Sequence, residues 1–231
     1  MVITTIGFDA DDTLWHSENH FAVTEVRFQE LLEPWLSPDE TAERLLERER
    51  SNLRIFGYGI KGFTLSMVET AIEASGREVS ATAIEQIIEW GKEMLDHPVD
   101  LLPGVVDALD QLAGSYRLAL ITKGDLFHQE SKVAESGLAE RFEVVEILSE
   151  KARANYQRVL DRMVVTPDEF LMVGNSVRSD VLPVLELGAN AVHVPYHVTW
   201  GHEHVDCERV GWTELASISE LPGLLKQFSV G

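Results

Sequence analysis

Residues 3–8, with Ile3, Ile6 and Phe8 leading straight into the charged Asp9, read as a short buried strand. From about residue 20 to residue 96 the spacing changes to that of helices. Phe21, Val23, Val26, Phe28, Leu31, Leu32 and Trp35 form one apolar stripe. Ser37-Pro38-Asp39 starts a second helix, with Ser37 as N-cap and Pro38 in the first turn. Phe63, Met67, Val68, Ala71 and Ile72 mark a third helix, and Ile84, Ile87, Ile88 and Leu95 a fourth. Between the second and third, Gly57-Tyr58-Gly59-Ile60-Lys61-Gly62 reads as a loop with three glycines.

After His97-Pro98 strands and helices alternate. Strands are expected near Leu118–Thr122, Val144–Ile147, Phe170–Val173 and Ala191–Val194, with helices near 104–113, 126–136, 152–164 and 179–187. Ser219 to Phe228 reads as a closing helix. Strands separated by helices predict an α/β fold with a doubly wound parallel sheet, to which the first strand belongs. The expected domains are a Rossmann-like core of residues 1–15 and 98–231, and an inserted helical domain of residues 16–97.

Composition narrows the picture. The chain has 231 residues, 45% of them hydrophobic, enough for one large core or a core with an insertion. Cys207 is the sole cysteine, so no disulfide forms within the chain, and a reducing, cytoplasmic setting is expected. No apolar run reaches the roughly 20 residues of a membrane span, and Met1 to Phe8 reads as a strand, not a signal peptide. A formal charge of −20 repels nucleic acid overall. A small phosphate ester fits only where a local cation or a metal reverses the field. Oligomeric state is not legible in the sequence.

Four segments fall at the carboxyl ends of the expected parallel strands, where folds of this kind bind ligands. Asp9-Ala10-Asp11-Asp12-Thr13 places three carboxylates in four residues, and a hard divalent cation would explain that crowding better than a capping cluster. Thr122-Lys123-Gly124 supplies a hydroxyl and backbone N–H groups suited to phosphate oxygens. Lys151 stands at a helix start, against the macrodipole, an arrangement that a nearby anion offsets. Gly174-Asn175 through Asp180 adds oxygen-bearing side chains after a turn glycine. Taken singly, each of the last three segments reads better as an ordinary turn, capping or surface residue than as a ligand site.

In order and placement together, these segments resemble the haloacid dehalogenase superfamily of hydrolases. Asp9, Asp11 and Thr13 match its first motif, Thr122 its second, and Lys151 its third. Gly174 and Asp180 match its fourth, with Asn175 in place of the usual Asp. The insertion resembles that family's helical cap of the first type. The resemblance implies a magnesium-dependent phosphatase acting on a small phosphorylated substrate. Asp9 would be the nucleophile, Asp11 the acid and base, and Thr122 and Lys151 would hold the phosphoryl group. Asp9, the Asp11 carbonyl, Asn175 and Asp180 would hold magnesium. Either Asn175 ligates directly or Asp180 carries more of that task. Thr13 and Lys123, beside the motifs, and Tyr58 and Lys61, on the glycine-rich loop, complete the expected substrate-binding set. Halide- or phosphonate-cleaving members, and a non-catalytic phosphate-binding module, are the alternatives; Asp11 argues against the halide chemistry. His193, His197, His202 and His204 cluster near Tyr196 and Trp200, where loop packing is favoured over a zinc site.

Overall fold

The computed structural model describes residues 2–205 and 210–228; Cys207 lies outside them. The chain divides into two compact units. One comprises Met1–His16, Val99–Lys123 and Gln129–Gly231; the other comprises Ser17–Pro98 and Gly124–His128.

The first unit is built on a six-stranded, all-parallel sheet. Its strands are β1 (Thr5–Phe8), β2 (Arg117–Lys123), β3 (Val144–Leu148), β4 (Phe170–Gly174), β5 (Asn190–His193) and β6 (Thr213–Glu214), in the order β3-β2-β1-β4-β5-β6. The two strands beside β1 are buried on both faces and so read as continuous apolar runs rather than alternating ones. Alternate residues nonetheless serve different cores. Leu118, Leu120, Leu171 and Val173 pack with Leu109 and Leu112 of α5 (Val105–Leu112), and with Leu221 and Leu225 of the C-terminal helix (Leu221–Phe228). Ala119, Ile121, Phe170 and Met172 pack on the opposite face with Tyr156, Val159 and Leu160 of a helix spanning Arg153–Met163. Gly7 is required here, because a Cβ would stand 2.6 Å from the Phe170 ring.

The second unit holds α1 (Glu18–Leu32), α2 (Pro38–Phe56), α3 (Ile60–Ala74) and α4 (Ala81–Leu95), which close on Phe28, Leu32, Leu45, Phe63, Met67, Ile87 and Trp90. α2 opens with a capping box between Ser37 and Glu40. The remaining helices are then α5, α6 (Leu126–Glu135), α7 (Arg153–Met163), α8 (Leu182–Leu185) and α9 (Leu221–Phe228). No helix among the described residues is long and apolar enough to cross a membrane.

Three local expectations need correction. The apolar stripe of α1 is narrower than its composition suggests: Thr24, Phe28 and Leu32 are buried at i, i+4 spacing, while Val23 and Val26 are 55% and 53% exposed. The glycine-rich loop is shorter, because α3 begins at Ile60 and takes Lys61 and Gly62 into its first turn. The helix expected near 179–187 is a π-helical turn, Val177–Val181, followed by the four-residue α8. Pro183, which has no N–H to donate, sits at the start of that short helix.

Candidate active site

β1 pairs with β2 and β4 through Phe8, opposite Leu120 and Val173, and the Asp9 N–H still donates to the Val173 carbonyl at 2.9 Å. Asp9 therefore leaves the sheet at a fixed height, in the middle of its carboxyl edge. The chain then turns sharply. Asp12 takes a left-handed conformation (φ 62°), which Asp tolerates better than most residues, and its N–H donates to the Trp15 carbonyl at 2.7 Å. This turn brings Thr13 Oγ1 back to donate to Asp9 Oδ2 at 2.9 Å.

Lys151, just before α7, extends a buried ammonium between two carboxylates. Nζ donates to Asp9 Oδ1 at 2.5 Å and to Asp180 Oδ1 at 2.6 Å, and all three side chains are at most 8% exposed. Asp180 sits in the π-helical turn after β4, where its Oδ2 accepts from the Ser176 N–H at 3.0 Å. Gly174 makes room for it, since a Cβ there would overlap the Asp180 carboxyl group. Tyr156 closes the floor, donating to the Ser179 carbonyl at 3.0 Å. The Asn175 carbonyl accepts from His193, whose other ring nitrogen meets Glu214 at 3.1 Å.

Two carboxylates share one lysine, and the charge does not balance. Burial pushes the Asp9 carboxyl up and Asp180 adds repulsion, so it titrates at about 7 despite Lys151. Burial opposes the charge on Lys151 too, but the two carboxylates win and raise its pKa.

Asp11 points elsewhere. Its Oδ1 accepts from Lys132 Nζ at 2.5 Å and from Trp15 Nε1 at 2.7 Å, and its Oδ2 from Gln129 Nε2 at 3.0 Å. Burial raises this carboxyl, yet Lys132 and the two further donors outweigh it and leave its pKa below the ordinary carboxylate value. Gln129 also donates to Thr122 Oγ1 at 2.8 Å and to the Lys123 carbonyl at 2.9 Å, tying the end of β2 to Asp11. Lys123 itself is engaged by Glu203 at 2.5 Å. Burial raises the Glu203 carboxyl, but Lys123 and the Ser176 and Ser179 hydroxyls bring it down to about 2.

The structure thus gathers Asp9, Thr13, Lys151 and Asp180 in one contact network, and links Thr122 to Asp11 through Gln129. Tyr58 and Lys61 belong to the helical unit, where Lys61 pairs with Asp125 at 2.9 Å and lies over the Phe127 ring at 5.7 Å. Sequence reasoning missed Lys132, Gln129 and Glu203. The first two had a faint signal: they are polar positions at i, i+3 on a helix that follows the second motif directly. Glu203, inside the histidine-rich span, had none. Among the described residues no three His, Cys, Asp or Glu side chains form a metal cluster. The metal question therefore turns on two carboxylates plus neutral oxygens. The donor types suit a hard dication such as magnesium: Asp9, Asp180, Asn175 and the Asp11 carbonyl all offer oxygens, and a dication would favour the charged form of Asp9 that burial opposes.

Comparison with known proteins identifies the family and the fold. Residues 3–188 match the family of haloacid dehalogenase-like hydrolases. A haloacid dehalogenase-like family hydrolase from Xanthomonas campestris is 41% identical, covering 99% of this chain and 93% of its own, with a TM-score of 0.88. The L-2-haloacid dehalogenase of Xanthobacter autotrophicus shares the fold at 16% identity over 98% of this chain and 99% of its own, with a TM-score of 0.67. A glyceraldehyde 3-phosphate phosphatase from Methanothermobacter thermautotrophicus is 28% identical over 123 residues, 51% of this chain. That match spans 54% of the relative, so the chain covers about half the length of the curated protein it resembles.

Proposed function

The chain belongs to the haloacid dehalogenase-like hydrolases, and from that premise we propose that it is a magnesium-dependent phosphatase of small phosphate monoesters. The observation that carries this reading is the Asp9–Lys151–Asp180 contact at the carboxyl edge of the sheet. A carboxylate nucleophile must be aimed, and Lys151 and Thr13 fix the two oxygens of Asp9, while Lys151 works against the burial that raises its pKa. The 28% identical phosphatase supports a small phosphorylated substrate.

In the reaction, an Asp9 oxygen forms a bond to phosphorus as the bond to the leaving oxygen breaks, giving an aspartyl phosphate. Water then attacks that phosphorus, the P–O bond to Asp9 breaks, and phosphate leaves with Asp9 restored as a carboxylate. Lys151 and Thr122 hold phosphoryl oxygens, and Asp9, Asp180, Asn175 and the Asp11 carbonyl are the residues that would hold magnesium. When bound, the ion neutralises charge on the transferring group. Asp11 enters ionised, because Lys132 holds its pKa down. It is ready to take the proton of the attacking water. As a donor to the leaving oxygen it must first exchange Lys132 for a proton, so leaving groups that depart as stable anions are favoured. The helical unit serves as the cap that reads the rest of the substrate.

The test is an aryl phosphate with Asp11→Asn. The amide keeps the backbone carbonyl and loses the base, so phosphoryl transfer to Asp9 proceeds to some extent and hydrolysis stalls. Mass spectrometry of rapidly quenched protein is expected to find phosphate on the peptide containing Asp9. Product formed with no phosphate there overturns the nucleophile assignment, and full wild-type activity after exhaustive chelation overturns the metal.

A further inference from the structure

Lys123 ends β2 and the Ser176–Asp180 turn follows β4, so these two segments flank Asp9 on either side of β1. Glu203 bridges them. Glu203 Oε1 accepts from Lys123 Nζ at 2.5 Å, and Oε2 accepts from the hydroxyls of Ser176 at 2.5 Å and Ser179 at 2.6 Å. Lys123 Nζ also donates to Ser179 Oγ at 2.8 Å, and the Arg178 guanidinium donates to the His202 carbonyl at 2.9 Å. The segment carrying Glu203 is therefore fixed to the turn by both side chain and main chain. Lys123 is 15% exposed and Glu203 12%, so the pair is largely shielded from water, where an ion pair is strongest.

We propose that Glu203 is a positioning residue that holds Lys123 away from the phosphoryl group and locks the turn bearing Asp180, so that Lys151 alone among the lysines contacts phosphate and the phosphate product leaves readily. This rests on the phosphatase reading. A second uncompensated lysine at the end of β2, the strand next to β1, would bind substrate and inorganic phosphate alike, which deepens the ground state without speeding chemistry. Glu203 takes most of that charge up at 2.5 Å, with the more exposed Glu150 a distant second partner at 4.0 Å. A purely structural role for the carboxylate predicts weaker phosphate binding when it is neutralised; masking predicts tighter binding.

The experiment is calorimetric titration of the full chain with inorganic phosphate in the presence of magnesium, with melting curves as a control. Glu203→Gln keeps the shape and removes the charge, and is expected to bind phosphate about threefold to tenfold more tightly, the size of one partly screened ion pair. Lys123→Met alone is expected to stay within about twofold of wild type, because its charge is already taken. The double variant is expected to lose the gain. Unchanged or weaker phosphate binding by folded Glu203→Gln overturns the assignment. So does a roughly tenfold loss in Lys123→Met, which would place Lys123 on the phosphate directly. Should Glu203→Gln fail to fold, the phosphate affinity of Lys123→Met decides between masking and direct contact. A wild type that binds phosphate but turns over no phosphoester defeats the phosphatase reading and leaves this comparison intact; one that binds none overturns both.

Discussion

Asp9 is held in a state that costs the protein stability. Its folded pKa of about 7 lies above the ordinary carboxylate value, first through burial and then through Asp180. Between those two values the native state holds the proton more tightly than the unfolded chain. Stability therefore falls as pH rises through that window and the penalty is complete above about 7. Asp9→Asn removes the charge. In chelator at pH 8 it is expected to stabilise the fold by on the order of 1–3 kcal/mol, with a higher Tm, and at about pH 4 the difference should vanish. Melting curves across pH test this; a lower Tm for the amide at pH 8 would show that Lys151 balances both carboxylates. Lys151→Ala should do the reverse. It leaves Asp9 and Asp180 buried without their shared counter-ion, a loss of about 3–5 kcal/mol at neutral pH. Turnover of an aryl phosphate should drop by a factor of about 10² or more. Wild-type turnover in a folded variant would move the phosphate-binding role to another cation.

At the scale of elements, three loops at one edge of the sheet supply the site and the helices behind them supply its rigidity. α6 is informative because Gln129 and Lys132, one turn apart, reach Asp11 from the helix that follows β2. α3 is informative for the opposite reason. Lys61 lies in its first turn and is paired with Asp125, so it is a helix residue with a carboxylate partner and not a loop cation. Substitutions at Tyr58 or Lys61 are expected to alter the ranking of phosphorylated metabolites while activity on a small aryl phosphate changes less than about threefold, because neither belongs to the Asp9 network. Kinetics on a substrate panel decide this, and equal loss on large and small substrates would make the segment structural or directly catalytic.

For the whole molecule, charge sets the approach of substrate. A chain of formal charge −20 repels a phosphate dianion at long range, whatever its site does at contact. Raising ionic strength from about 0.01 to 0.15 M shortens the screening length from about 30 to 8 Å. At saturating magnesium, KM for an anionic substrate is expected to fall by about twofold or threefold over that range. A rise in KM would mean that local cations dominate the encounter.

The pattern of residues alone determined the alternation of strand and helix, the helical insertion, and the order of the four motifs, because each is written in short-range periodicity and spacing. Asp9, Asp11 and Thr13 were legible since they follow an unmistakable buried strand directly. Lys151 and Asp180 were legible only by order, as their meeting across Asp9 depends on β1 lying between β2 and β4. Only the tertiary structure decided the rest. Val23 and Val26 look apolar-buried in sequence, but helix rotation exposes them. β6, two residues long, is too short to show a period. Lys132 on Asp11 and Glu203 on Lys123 join positions 121 and 80 residues apart. No local pattern encodes such pairings, because they depend on where a whole helix and a whole loop come to rest beside the sheet.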